Sequence, residues 1–161
     1  MAVREPVAGF AMAVVREDGK WRCSALDSGA LSDLDTALTE LRKIRSTGAI
    51  LALLAVDDEF FIVIRPSPIR TSLLLSDATA ALDYDIAADV LDLLRVDTPD
   101  EDEDDVWPEG DLDIVADLGL PHEELQMIAA EVDLYPDEQL RMIAQRCGFA
   151  EEFDELLDKI Q

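Results

Sequence analysis

Between Ala49 and Ile64 the chain is apolar at every position except Asp57-Asp58-Glu59. The run Ala49–Val56 is far short of the roughly 20 residues that span a bilayer. Joined by the three acids, it and Phe60–Ile64 read as a hairpin. Neither run alternates polar with apolar residues, so both faces of the hairpin must be covered. That requirement dictates a layered fold, with a sheet in the middle and other elements packed against it.

The neighbouring segments supply candidates for those layers. Residues 9–15, GFAMAVV, and Lys20 to Leu26 flank Asp18-Gly19, a tight-turn dipeptide, and read as another hairpin. Ser32 can cap a helix in which Leu34, Ala37, Leu38, Leu41 and Ile44 recur at helical spacing, with Gly48 as its terminator. Pro66 and Pro68 break the strand that follows Phe60, and Ile69 to Leu75 resumes as a fifth strand. Ser76 or Asp77 can cap a second helix, carried by Leu82, Ile86, Val90 and Leu93, with a break near Asp83 to Asp85. The order over residues 8–95 is therefore β-β-α-β-β-β-α. This predicts an α+β fold, an antiparallel sheet sandwiched by helices. The order resembles profilin and longin folds, whose strands run 2-1-5-4-3.

The composition changes after Val96. Residues 1–96 hold ten Lys+Arg against fifteen Asp+Glu, and residues 97–161 hold three against twenty-two. The run Asp97–Asp113, DTPDEDEDDVWPEGDLD, opens the acidic half. Beyond it PHEELQMIA at 121–129 returns as PDEQLRMIA at 136–144, a repeat with an offset of fifteen residues. Each Pro suits a first helical position, and the acids after it suit the positive end of a helix. With a short helix around Leu112–Leu118 and a last one over Ala150–Ile160, these make a four-helix unit, too small to be robust alone. The expected division is a sandwich domain at 1–96, an acidic linker at 97–111 and a helical domain at 112–161, with the two domains in contact.

The charge narrows the choice of partner. A net charge of −24 repels nucleic-acid phosphate and anionic lipid and attracts basic protein surfaces. Direct nucleic-acid and membrane binding are therefore not expected. Cys23 and Cys147 form no Cys-x-x-Cys pair, and Met1–Ala13 lacks a secretory pattern, which together point to a reduced cytoplasm.

Tests for site chemistry come out negative. One histidine, His122, and two distant cysteines make neither a zinc site nor a Ser-His-Asp arrangement. An EF-hand loop begun at Asp100 puts Asp105 where glycine is needed, and one begun at Asp105 puts Trp107 at its third position. No glycine-rich phosphate loop occurs. Arg65 and Arg70, which flank the Pro66–Pro68 turn, are the one candidate anion site. No cofactor, metal or catalytic residue is expected. The acidic run offers a partner-binding surface instead: Asp102, Glu103, Asp104, Asp105, Trp107, Asp111 and Asp113. Trp107 has two possible roles. It packs against its own chain and pins the linker, helped by a turn at Pro108 and Gly110, or it stays exposed as an anchor for a basic partner. The first needs only this chain and is the expected one.

DDVWPEGDLDIVADLGL, followed by DLYPDEQLRMIAQRCGFAEEFDELL, resembles the bacterial tRNA adenosine deaminase-associated proteins. FAMAVVREDGKW and FFIVIRP fit the same family, so the resemblance spans nearly the whole chain. It implies a tRNA adenosine deaminase as the basic partner. It does not make this chain the deaminase, because the His-x-Glu and Pro-Cys-x-x-Cys motifs of such enzymes are missing. The expected function is that of a non-catalytic accessory protein that regulates or scaffolds the deaminase. One alternative is a small-ligand sensor or enzyme on the sheet domain, using Arg65 and Arg70 with Asp57 or Asp58. Another is an acidic mimic of nucleic acid.

Overall fold

The computed structural model describes residues 8–102 and 105–160. Its six-stranded antiparallel sheet runs β2-β1-β3-β4-β5-β6, with β1 Gly9–Glu17, β2 Lys20–Ala25, β3 Ala49–Val56, β4 Phe60–Arg65, β5 Ser72–Leu75 and β6 Glu109–Gly110. Its helices are α1 Leu34–Arg42, α2 Asp85–Leu94, α3 His122–Ala130, α4 Pro136–Cys147 and α5 Ala150–Ile160. Short 3-10 turns precede α1, α2 and α3. Asp57 and Asp58 both take left-handed backbone, φ 52° and 55°. That geometry matches the twist of a tight hairpin turn, and the short acidic side chain tolerates it.

The 2-1-5-4-3 order is overturned. β1 pairs with β3, from Gly9 opposite Val56 to Arg16 opposite Ala49. β1 is nine residues long and apolar on both faces, so its free edge needs a partner of similar length. The eight-residue β3 offers that, and the four-residue β5 does not.

Strand alternation then builds two cores. Phe10, Met12, Val14, Leu51, Leu53, Phe61, Val63 and Leu74 point to one face, and Ala11, Ala13, Ala52, Leu54, Ile62, Ile64, Leu73 and Leu75 to the other. Both α1 and α2 lie on the second face, through Leu34, Ala37, Leu41, Ile86, Val90 and Leu91. The helices of residues 8–95 therefore do not cover both sides, as the sandwich expectation had it. The first face is covered by residues 112–157 instead, with Leu125, Ile128, Leu140, Ile143, Phe149 and Phe153 in the same cluster as the strands. Trp21 of the edge strand packs on Phe149 at 4.8 Å between centroids with the rings tilted by 41°, tying β2 to this layer. The buried Gln139 donates to the Ile128 and Glu131 carbonyls, satisfying the end of α3 from α4. Cleavage within residues 97–105 is expected to leave both fragments together. One size-exclusion peak containing both pieces after limited proteolysis would bear this out, and two separately eluting folded pieces would contradict it.

Local expectations shift in four places. Asp33, not Ser32, caps α1, its carboxylate accepting from the Thr36 N–H at 2.8 Å. The helix stops at Arg42, so Gly48 has a different reason to be glycine: a Cβ there would overlap the Arg16 carbonyl of β1. The fifth strand begins only at Ser72, leaving Ile69 94% exposed, because the prolines before it and the Ser67–Arg70 turn hold the chain off the sheet. β6 arises inside the segment read as a linker.

Candidate interaction surface

The acidic segment leaves α2 at Arg95 and rejoins the sheet at Trp107. The Trp107 carbonyl accepts from the Ala78 N–H at 2.9 Å, Glu109 and Gly110 pair with Leu75 and Leu74, and the Asp111 N–H donates to the Leu73 carbonyl at 2.8 Å. The segment is thus pinned through its backbone. The Trp107 ring is half-buried, and its Nε1 donates to Glu109 at 3.1 Å. It belongs to neither core cluster, so the pin is the strand pairing more than the ring.

The candidate residues are spread along this path. Asp102 and Asp105 are exposed, and Glu103 and Asp104 lie outside the described residues. Asp111 is half-buried and accepts from the Asp113 N–H at 2.9 Å, closing a small turn. Asp113 is exposed, with one carboxylate oxygen 3.6 Å from His122 Nδ1.

Arg65 and Arg70 do not act together. Arg65 makes a two-pronged pair with Asp117 and also donates to the Ile114 carbonyl at 2.9 Å. Its guanidinium holds the Asp117 carboxyl below the ordinary carboxylate range. An incoming anion would have to displace that carboxylate. Asp57 and Asp58 sit in the β3–β4 turn, at the other end of β4 from Arg65. A six-residue strand spans roughly 17–20 Å. Asp57 instead accepts from the Tyr84 hydroxyl at 2.8 Å; burial, reinforced by Asp57, pushes that phenol up to about 12. Arg70 joins Asp111 in an open groove of about 740 Å³ between α1, α2, β5 and β6. Arg42, Glu109, Leu38 and Leu93 line it too. Arg42 was not singled out in the sequence, because the groove exists only once β6 has joined the sheet.

Most cations of residues 1–96 gather at one end of the sheet, where Lys43 and Arg65 are already paired with Glu40 and Asp117. Register places Arg16, Lys20 and Arg22 at one end of the sheet, and the same end receives the termini of α1 and β4 with Arg42, Lys43, Arg45 and Arg65. On the helical side, Arg141 is bound to Asp154 and Arg146 to Glu124. Glu123, Glu131, Asp133, Glu138, Glu151 and Asp158 face solvent, whereas Asp117 is held by Arg65 and Glu152 Oε2 is buried without a hydrogen-bond partner among the described residues. Neither thiol is set up as a nucleophile: burial pushes Cys23 up to about 12 and Cys147 up to about 11, with Glu152 and Asp117 adding to the effect. Among the described residues, no group of three or more His, Cys, Asp or Glu side chains is placed to hold a metal ion, and no helix is long and apolar enough to cross a membrane.

The family model described as "Rv3753c-like tRNA adenosine deaminase-associated protein" matches residues 9–150. Protein Rv3753c of Mycobacterium tuberculosis (strain ATCC 25618 / H37Rv) is 54% identical over 154 residues, covering 94% of this chain and 89% of that relative. No solved structure matches the chain.

Proposed function

We propose that this chain, which belongs to the Rv3753c-like tRNA adenosine deaminase-associated protein family, is a non-catalytic accessory protein of a tRNA adenosine deaminase. It acts in the cytoplasm by docking its acidic side on a basic face of that enzyme. The observation that carries this reading is the placement of the acidic segment along the sheet edge by β6. Asp111 and Asp113 are held against the sheet edge by β6, and Asp102 and Asp105 are exposed just before it. An enzyme that holds tRNA must present cations to phosphate, so an acidic protein fits the same surface and competes with RNA there.

Calorimetric titration with the deaminase tests this. Binding is expected to weaken about tenfold or more when Asp102, Asp105, Asp111 and Asp113 are all changed to Asn, and to weaken with added salt, since rim charges act chiefly through screened long-range attraction. Absence of binding at low salt would remove the deaminase as partner.

A second reading rests on the groove beside Arg42 and Arg70, whose floor is apolar and whose mouth carries both signs of charge. It would suit a small amphipathic anion. Arg70→Ala should then abolish binding of such a ligand while leaving the deaminase titration unchanged.

A further inference from the structure

The internal repeat contains a match that packing does not require. Of the positions shared by the two units, Leu125/Leu140, Ile128/Ile143 and Ala129/Ala144 are buried in the sheet-facing core. Met127 and Met142 are also equivalent, yet they are 73% and 40% exposed. A helix needs no large apolar residue on its solvent side, and a matched pair there calls for another account.

The register of the α3–α4 hairpin brings the two together. Arg146 is paired with Glu124, and Gln139 donates to the Glu131 carbonyl, so the helices run antiparallel with these residues at matching levels. Met127 and Met142 fall between those two contacts, opposite each other. Glu124 lies one turn before Met127, and Arg146 one turn after Met142, so both methionines share the side marked by the ion pair. Tyr135, two turns before Met142 on the same side of α4, is 61% exposed. The result is an apolar strip roughly 10 Å long by helical rise. Carboxylates border it: Glu123 and Glu131 on the α3 side and Glu138 on the α4 side, all exposed. The cations nearest in sequence, Arg141 and Arg146, are already neutralised by Asp154 and Glu124.

We infer that this strip is a docking site for a basic amphipathic helix of the partner. Its length suits two turns of a helix whose apolar residues recur at i, i+3 or i+4, and i+7, with Lys or Arg on either flank meeting the acidic rims. Methionine is suited to the task because its unbranched, polarisable side chain adapts to different apolar shapes. A second copy of this chain is a poor occupant, since two such faces would bring carboxylate rims together on molecules of net charge −24. The assignment rests on the reading of the chain as a binder of a basic protein, and it places the apolar anchor of that contact on α3 and α4 rather than at Trp107.

The test uses full-length protein labelled with 13C at the methionine methyls. Met12, fully buried under the helical layer, is an internal control. Adding the deaminase should shift or broaden the Met127 and Met142 signals and leave Met12 in place. Met127→Gln with Met142→Gln should weaken binding at least tenfold at unchanged melting temperature, because both side chains are exposed. Binding that persists undiminished in this variant, together with unmoved Met127 and Met142 methyl signals in the unsubstituted protein, would overturn the site and leave the accessory role standing. If the deaminase fails to bind at all, the accessory role falls with that partner. A synthetic Leu/Lys amphipathic helical peptide then decides the site alone: Met127 and Met142 shifts support it, and their absence overturns it. Concentration-dependent broadening of the same two signals without any additive would assign the strip to self-association and overturn the proposal as well.

Discussion

Phe153→Ala is expected to destabilise the protein by about 3–5 kcal/mol. For a chain of this size that corresponds to a fall in melting temperature of roughly 6–20 °C. Phe153 is the aromatic of α5 that closes the helical layer on the sheet. Its ring is fully buried and meets Phe10 of β1 edge-on at 5.9 Å between centroids. Truncation would remove a large apolar side chain and leave a cavity between two layers that cannot both relax into it, since the sheet is fixed on its other face by α1 and α2. The damage should spread. α5 contacts α4 and the edge strand β2, where Trp21 packs on Phe149. A denaturant titration followed by near-ultraviolet circular dichroism checks both parts: a lower midpoint and a weakened aromatic signal. A loss below about 1 kcal/mol would mean that the helical layer contributes little to the core, contrary to the packing seen here.

How far such a layer was legible in the residues depends on whether the signal was local. The Ala49–Ile64 hairpin could be read directly, because two continuous apolar runs and an acidic turn allow little else, and its demand for cover on both faces was correct. What supplies the cover was not readable. α1 and α2 are amphipathic, and nothing in their spacing says that they share a face, so the second cover had to come from beyond Val96. The partner of β1 is likewise a long-range choice, decided by matching strand length against β3. Gly48 shows how a correct residue can carry a wrong reason: it looks like a helix terminator, and its actual role is to admit the Arg16 carbonyl. The anion pair dissolved for a similar cause. Arg65 and Arg70 are close in sequence, but Asp117, on a segment that reaches the sheet only through β6, claims Arg65. The repeat could be seen in the sequence, whereas the exposure of its two methionines needed the hairpin register.

Gly110→Ala is expected to peel β6 from the sheet while leaving the rest of the fold intact. Gly110 has φ +119°, a region that side chains rarely occupy, and a Cβ built there would overlap the Leu73 carbonyl oxygen. The strained backbone would cost about 1–3 kcal/mol if β6 stayed in place. Detachment gives up only the short pairing with Leu74 and Leu75 and the Asp111 bond to Leu73, at about 1 kcal/mol per net hydrogen bond. The two costs are comparable, and the overlap with a backbone oxygen, which cannot rotate away, tips the balance towards detachment. Hydrogen exchange should report it: the Asp111 amide loses protection, and the Ala78 amide, bonded to the Trp107 carbonyl, follows if the release runs back along the segment. In a 15N spectrum the Trp107 indole should move, while that of Trp21, packed on Phe149, stays. The charge of the chain is unchanged by this substitution, so it separates placement from charge. If the accessory reading holds and β6 pre-organises Asp111 and Asp113 for a partner, affinity for the deaminase should fall about tenfold, mainly through faster dissociation, because ordering the segment must then be done on binding. Full affinity in a protein whose Asp111 amide exchanges freely would show that the segment acts only as a diffuse acidic field, and the contact would then have to be sought on the α3–α4 hairpin.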